Sequence, residues 1–288
     1  AARGHEGVGS DLAPAYSGIA DGSAVTKAAY VPMDITNAAQ VREVISAVHP
    51  DAVIHCAAWT AVDAAEDADK QAKVQAINVQ GTANIAAVCR ELDCKMMYIS
   101  TDYVFNGQGE TPWDPDCKDY QPLNVYGQSK LDGERAVCGT LAQHFIVRTS
   151  WLYGAGGKNF VRTMLQLSRT HDTLRVVCDQ VGTPTYAGDL ALALFSIIEA
   201  GRYAGNEGVY HFTNEGVCSW YDFATEIAAA AGHDKCRIIP CHTSEFPTKA
   251  TRPAYSVLDK SKIKATFGVK IPHWTESLKV CMKNLKNL

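Results

Sequence analysis

The chain has 288 residues, 47% of them hydrophobic, and a formal charge of −4 at pH 7. That content is enough to bury a full core in one large or two smaller domains, and the mild negative balance, with no lysine or arginine run, argues against a nucleic-acid footprint. No apolar run approaches the roughly 18 residues that a membrane span needs, and the opening lacks the charged-then-apolar order of a secretory signal. The expectation is therefore a cytoplasmic protein, with no membrane partner, that handles small molecules.

Short β-rich runs alternate with helical patterns along the first half: EGVGSD, YVPMD, AVIHCAA, KMMYIST and FIVRTSW, separated by NAAQVREVISAV and VQAINVQGTANIAAVCREL. This alternation predicts an α/β fold with a doubly wound parallel sheet. Residues 1–150 then form a dinucleotide-binding domain, with ligands beyond the carboxyl ends of the strands. Those ends fall at Asp11, Asp34, the CAAWT run from Cys56, the STDY run from Ser100 and the SWLYG run from Ser150.

The opening AARGHEGVGSD reads as a helix end, a turn and a strand. Gly4, Gly7 and Gly9 do not follow a strand or open a helix, as a phosphate-binding loop does. The expectation is that a first strand and glycine-rich loop, about half a βαβ unit, stands outside the sequence at its N-terminal side.

Beyond Trp151 the alternation loosens. LRVVCD and VYHFTN read as strands, and AGDLALALFSIIEA, SWYDFATEIAAAAG and a segment from about Trp274 read as helices. Residues 151–288 are expected to form mainly a substrate-binding lobe, with segments near 174–200 returning to the sheet. The 10 cysteines lie scattered through apolar segments, which suggests buried, reduced thiols rather than a disulfide scaffold or metal site.

In VYGQSKLDGE, Tyr126 and Lys130 stand four apart, so a helix places them on one face. The same spacing also fits an amphipathic helix with an exposed lysine. If the ammonium lies about 5 Å from the phenol, attraction at an effective dielectric near 20 is about 3 kcal/mol, which pulls the phenol roughly two pH units toward neutrality. Thr101, at a strand end upstream, can hydrogen-bond the oxygen that Tyr126 protonates, and Asn78 sits on a helix that can brace the site.

The ordered set CAAWTAVDAAE, INVQGTANIA, STDYVFNGQGE, PLNVYGQSK, RTSWLYG, QVGTPTYAGDLA and RPAYSVLD resembles the extended short-chain dehydrogenase/reductase superfamily, and within it the dTDP-4-dehydrorhamnose reductase family. The resemblance spans nearly the whole chain. It implies NAD(P)H-dependent reduction of the C4 ketone of dTDP-4-dehydro-L-rhamnose to dTDP-L-rhamnose, the last step of dTDP-L-rhamnose synthesis. It makes Tyr126 the proton donor, Thr101 the second partner of the ketone oxygen, and Lys130 the residue that binds the nicotinamide ribose and lowers the phenol. Trp151 would line the sugar pocket, Asp102 would contact substrate or cap its turn, and Arg252 would face the nucleotide diphosphate.

For the cofactor, Asp11 would receive the adenosine ribose, which slightly favours NADH over NADPH. Asp34 and Ile35 would contact the adenine, while Ala57, Ala58 and Trp59 would lie under the dinucleotide. Magnesium at a dimer interface is a property of some relatives, but Gly188 stands where the aligned acid would be, so no metal is expected and the chain is taken as a monomer or homodimer. Two other readings share the resemblance. One is a nucleotide-sugar 4-epimerase or 4,6-dehydratase, the dehydratase being disfavoured because Tyr103 stands where its glutamate belongs. The other is a non-catalytic regulatory subunit like the β subunit of methionine adenosyltransferase.

Overall fold

The structure is a computed structural model that describes residues 3–15, 28–199, 201 and 204–286. The helix end expected at the very start falls, at Ala1 and Ala2, outside the described residues. The first strands, β1 (Val8–Gly9) and β2 (Ala29–Tyr30), pair in parallel. The pairing runs on in backbone bonds from Val31 N to Gly9 O (3.0 Å) and Met33 N to Asp11 O (2.9 Å). Helix α1 (Ala38–Val48) follows, its first turn capped by the Asn37 side chain, which accepts from Ala39 N and Gln40 N.

Strand β3 (Ala52–His55) leads into the short helix α2 (Val62–Ala65), then α3 (Ala68–Gln75), a π-helical turn (Ala76–Gly81) and α4 (Thr82–Glu91). Next come β4 (Lys95–Thr101), α5 (Val125–Thr140) and β5 (His144–Thr149). The second half begins with β6 (Leu152–Tyr153), α6 (Phe160–Thr170), β7 (Thr173–Val177), β8 (Val181–Gly182), β9 (Thr185–Tyr186) and α7 (Ala187–Glu199). It ends with β10 (Gly208–His211), β11 (Cys218–Ser219), α8 (Trp220–Ala231), β12 (Arg237–Cys241), α9 (Ser261–Phe267) and α10 (Trp274–Lys286).

The main sheet has the order β10-β5-β4-β3 and is parallel throughout. Both of its faces are covered, as parallel sheets require, and the period-two alternation of β4 and β5 assigns the residues. Met96, Tyr98 and Ile146 meet α1, α4 and α5 through Val41, Ile45, Ile85, Val88 and Val137. Met97, Phe145 and Val147 meet α7 and α9 through Leu190, Leu194, Ile197, Ile263 and Phe267.

The 174–200 region divides. Helix α7 packs on the main sheet, but β7 pairs with β12 in a separate two-stranded sheet, and the strand that joins the main sheet from the second half is β10. Leu174 and Val176 instead pack in a second core with α6, α8 and α10. The cysteine expectation needs correction at two positions. All ten are free and six are buried, but Cys56 and Cys138 are exposed. Among the described residues, no helix is long and apolar enough to cross a membrane, and no group of three or more His, Cys, Asp or Glu could hold a metal ion.

Candidate active site

Three elements meet at the carboxyl end of β4. Thr101 is its last residue, 5% exposed. Helix α5 runs back alongside, its N-terminus capped twice: Asn124 Oδ1 accepts from Gly127 N (2.8 Å) and Glu66 Oε1, from the end of α2, accepts from Val125 N (2.8 Å). The helix begins at Val125, with Asn124 as its cap. Gly127 is what lets it approach, because a Cβ there would strike the Tyr103 carbonyl oxygen. Likewise, a Cβ at Gly133 would lie 2.6 Å from the Asn78 carbonyl oxygen and against the Tyr98 phenol.

Thr101 stands beside Tyr126, its hydroxyl donating to Asp102 Oδ1 (3.0 Å) and accepting from Tyr103 N (3.2 Å). The expected lowering of Tyr126 by Lys130 is not what the structure has. Burial pushes the phenol up to about 12, with the Thr101 hydroxyl pulling the other way. The reason is where the ammonium goes: Lys130 Nζ donates to Ile99 O (2.7 Å) and lies 4.0 Å from the centroid of the Tyr98 ring. Lys130 is itself 2% exposed, and burial brings it down to about 7, opposed by the carboxylate of Glu134 one turn further on. Glu134 is in turn gripped on both oxygens by the buried Arg148, Nε to Oε1 at 2.9 Å and Nη2 to Oε2 at 2.7 Å.

Asn78, fully buried in the π-helical turn, spends its amide on bracing. Oδ1 accepts from Trp59 N (2.7 Å), and Nδ2 donates to Trp59 O (3.2 Å) and to Ser129 Oγ (2.8 Å), which donates on to Tyr126 O (2.8 Å). It thus ties the Ala57–Ala58–Trp59 loop to α5. Beneath it, His55 Nε2 donates to Thr82 Oγ1 (3.0 Å), whose proton goes to Asn78 O (2.8 Å). Burial, reinforced by Lys130, brings His55 down to about 3, so the ring is neutral.

Asp102 is 3% exposed and accepts from Thr101 Oγ1 on Oδ1 (3.0 Å). Burial raises its carboxyl to about 7. Trp151 has a left-handed backbone (φ 49°) and stacks on Trp220 with centroids 3.6 Å apart and planes 12° off parallel. The guanidinium of Arg252 is forked onto Asp63 (2.6 and 3.1 Å) rather than free in the cleft.

At the adenosine end, Asp34 accepts from Thr36 N (2.9 Å) and Thr36 Oγ1 (2.7 Å), which hold it below the usual carboxylate range. Ile35 O accepts from Asn84 Nδ2 (2.9 Å). Asp11 lies exposed after β1, its carboxylate 3.4 Å from Ala13 N. Ala57 is exposed while Ala58 and Trp59 are half-buried. The two alanines at the strand end, with an ammonium nearby that has donors to spare beyond its one bond to Ile99 O, suit a dinucleotide laid across the sheet.

Trp220, Ser129, Asp63 and Ser256, whose hydroxyl stands beside Asp102, were not singled out from sequence. The capping pair Ser219 and Asp222, with the sequence S-W-Y-D, fixes the start of α8 and so the place of Trp220. Nothing local marks Ser256 or Asp63, which act through partners far along the chain.

The chain matches the family described as RmlD substrate binding domain over residues 3–287. It is 42% identical to the dTDP-4-dehydrorhamnose reductase of Streptomyces griseus over 89% of this chain and 84% of that protein. The crystal structure of a dTDP-4-dehydrorhamnose reductase from Clostridium acetobutylicum superposes with a TM-score of 0.83 at 41% identity, covering 91% of this chain and 92% of that one. That of the Bacillus anthracis enzyme in complex with NADP gives 0.85 at 36% identity, over 96% and 98%. The chain therefore belongs to the dTDP-4-dehydrorhamnose reductase family.

Proposed function

We propose that this protein uses NAD(P)H to reduce the C4 ketone of dTDP-4-dehydro-L-rhamnose, with Tyr126 as the proton donor. The observation that carries the assignment of roles is the meeting of Thr101, Tyr126 and Lys130 at one strand end, each through a different backbone constraint. When bound, the dinucleotide supplies the hydride. Lys130 and the loop from Ala57 to Trp59 hold it, with Asp34 and Ile35 at its adenosine end and Asp11 near the ribose. Asn78 keeps that loop in register with α5. Thr101 fixes the phenol, Trp151 and Asp102 line the sugar side, and Arg252 meets the diphosphate by exchanging Asp63 for phosphate oxygens.

A phenol lifted to about 12 stays protonated at neutral pH. It yields its proton only to an oxygen becoming as basic as an alkoxide, which is what a ketone oxygen becomes during reduction. Tyr126→Phe is expected to lower turnover by about a hundredfold or more while cofactor affinity holds, measured as dinucleotide oxidation with dTDP-4-dehydrorhamnose and as binding by fluorescence. A wild-type rate in that variant would remove Tyr126 from the chemistry. Binding of NAD(P)H by the unmodified protein with no oxidation would instead support a binding role.

A further inference from the structure

Trp151 stands on a left-handed backbone (φ 49°), a costly conformation for a bulky residue and one that persists only where the surroundings over-determine it. Here they do. Ser150 Oγ donates to Thr183 O (2.8 Å) and Thr185 N donates to Trp151 O (3.2 Å), which pins the chain on both sides of the side chain. In the pairing of β4 with β5, Thr149 lies opposite Thr101, so Trp151, two residues on, leaves the sheet at the end where Thr101 sits. Its indole then lies flat on that of Trp220, centroids 3.6 Å apart and planes 12° off parallel. At that separation nothing fits between the two rings, and any platform that Trp151 offers is on the face turned away from Trp220.

Trp220 is itself set from behind. Ser219 Oγ accepts from Asp222 N (3.1 Å) and Asp222 Oδ2 accepts from Ser219 N (2.9 Å), which fixes the first turn of α8, and the Phe160 ring lies 4.6 Å from the Trp220 ring. The same short sheet also sets the edge of Trp151. Cys218 in β11 pairs with Gly182 in β8, and a Cβ at Gly182 would lie 2.8–2.9 Å from Cε2 and Cζ2 of Trp151. Both indoles are half-buried, so the stack is at the surface of the second core rather than inside it.

From this geometry we infer that Trp220 is a positioning residue for the sugar. It holds the Trp151 indole as a flat platform for the C–H face of a deoxyhexose ring, and the discrimination of the sugar depends on it through Trp151. The inference rests on the function proposed above, which puts Trp151 on the sugar side. Its physical content is preorganisation: the stack selects one orientation of Trp151 before substrate arrives, so that the ordering cost is not met at binding.

The test compares binding of dTDP and of dTDP-L-rhamnose to the full-length protein with saturating NAD(P)H, a combination that cannot react, by calorimetry. The ratio of the two dissociation constants isolates the sugar. Trp220→Leu is expected to shrink that ratio about fivefold while dTDP binds as before, and Trp220→Phe, which keeps a ring to stack, should restore most of it. Trp220→Met, whose long chain fills the space without a ring, carries the same expectation as Trp220→Leu should the latter fail to fold. In a Trp151→Leu background, Trp220→Leu should change the ratio no further, because the two act as one unit. The circular dichroism couplet of the stacked indoles should be present in the unmodified protein and lost in Trp220→Leu. A ratio unchanged in Trp220→Leu or Trp220→Met, or a further loss in the Trp151→Leu background, overturns the inference and leaves Trp220 a packing residue. If the unmodified protein turns over dTDP-4-dehydrorhamnose yet binds the two ligands equally, the inference fails alone. Absence of dinucleotide oxidation would instead sink the reductase reading beneath it.

Discussion

Burial acts on Lys130 in a way that its sequence position does not disclose. Its ammonium is brought down to about 7 in the folded protein, against about 10.4 in an unfolded chain. Below pH 7 both states carry the proton and the folded state bears the full cost of the buried charge. Between pH 7 and 10 the unfolded state binds more protons, so stability rises with pH over that window. The gain in unfolding free energy between pH 7 and 9, followed by urea denaturation, is expected to be smaller in Lys130→Met than in the unmodified protein. An equal gain in both would show that Lys130 titrates elsewhere. The pair Tyr126 and Lys130 was legible because helical spacing fixes which side chains share a face. Its electrostatics were not, since they depend on the Ile99 carbonyl and the Tyr98 ring, which belong to β4.

Helix α5 is positioned by what it lacks as much as by what it carries. Gly127 lies against the Tyr103 carbonyl, so Gly127→Ala forces the helix off the strand end that holds Thr101. The expected outcome is a loss of about 1–3 kcal/mol in stability together with a fall in kcat, measured by denaturation and by turnover at saturating substrate. An unchanged kcat would mean that the approach of the two segments has no part in the chemistry. The helical pattern from Val74 to Leu92 was readable as one amphipathic run. The π-helical turn at Ala76–Gly81 inside it was not, because it answers to tertiary contacts: a Cβ at Gly81 would press on Ile35, and Asn78 has two partners on separate elements. The wide turn lets Asn78 face the Trp59 loop and Ser129 at once, as such turns often do at functional sites.

One extended segment, residues 250–257, ties distant parts of the molecule together. Ala250 N and Arg252 bond Asp63, Asn124 Nδ2 donates to Thr251 O (2.9 Å), Tyr255 N donates to Gly107 O (2.8 Å), Ser256 N donates to Val181 O (2.8 Å) and Val257 O accepts from Trp113 N (2.9 Å). Asp63→Ala is expected to speed amide exchange at Ala250 markedly while costing no more than about 1 kcal/mol of global stability, because the pair is half-exposed. Exchange at wild-type rate would show that the segment is held by its other bonds alone. The α/β alternation of the first half made its parallel sheet readable, while the crossing of this segment, with no periodicity of its own, was not.

Strand β10 lies beside β5, with Tyr210 opposite Val147 and His211 opposite Arg148, so the outermost rung of the main sheet is supplied by the far half of the polypeptide. A chimera of two relatives joined near residue 150 would inherit that seam from two parents. Its success would turn on whether Phe145 and Val147 from one still fit Leu194, Tyr210 and Phe267 from the other, rather than on the quality of either parent's catalytic groups.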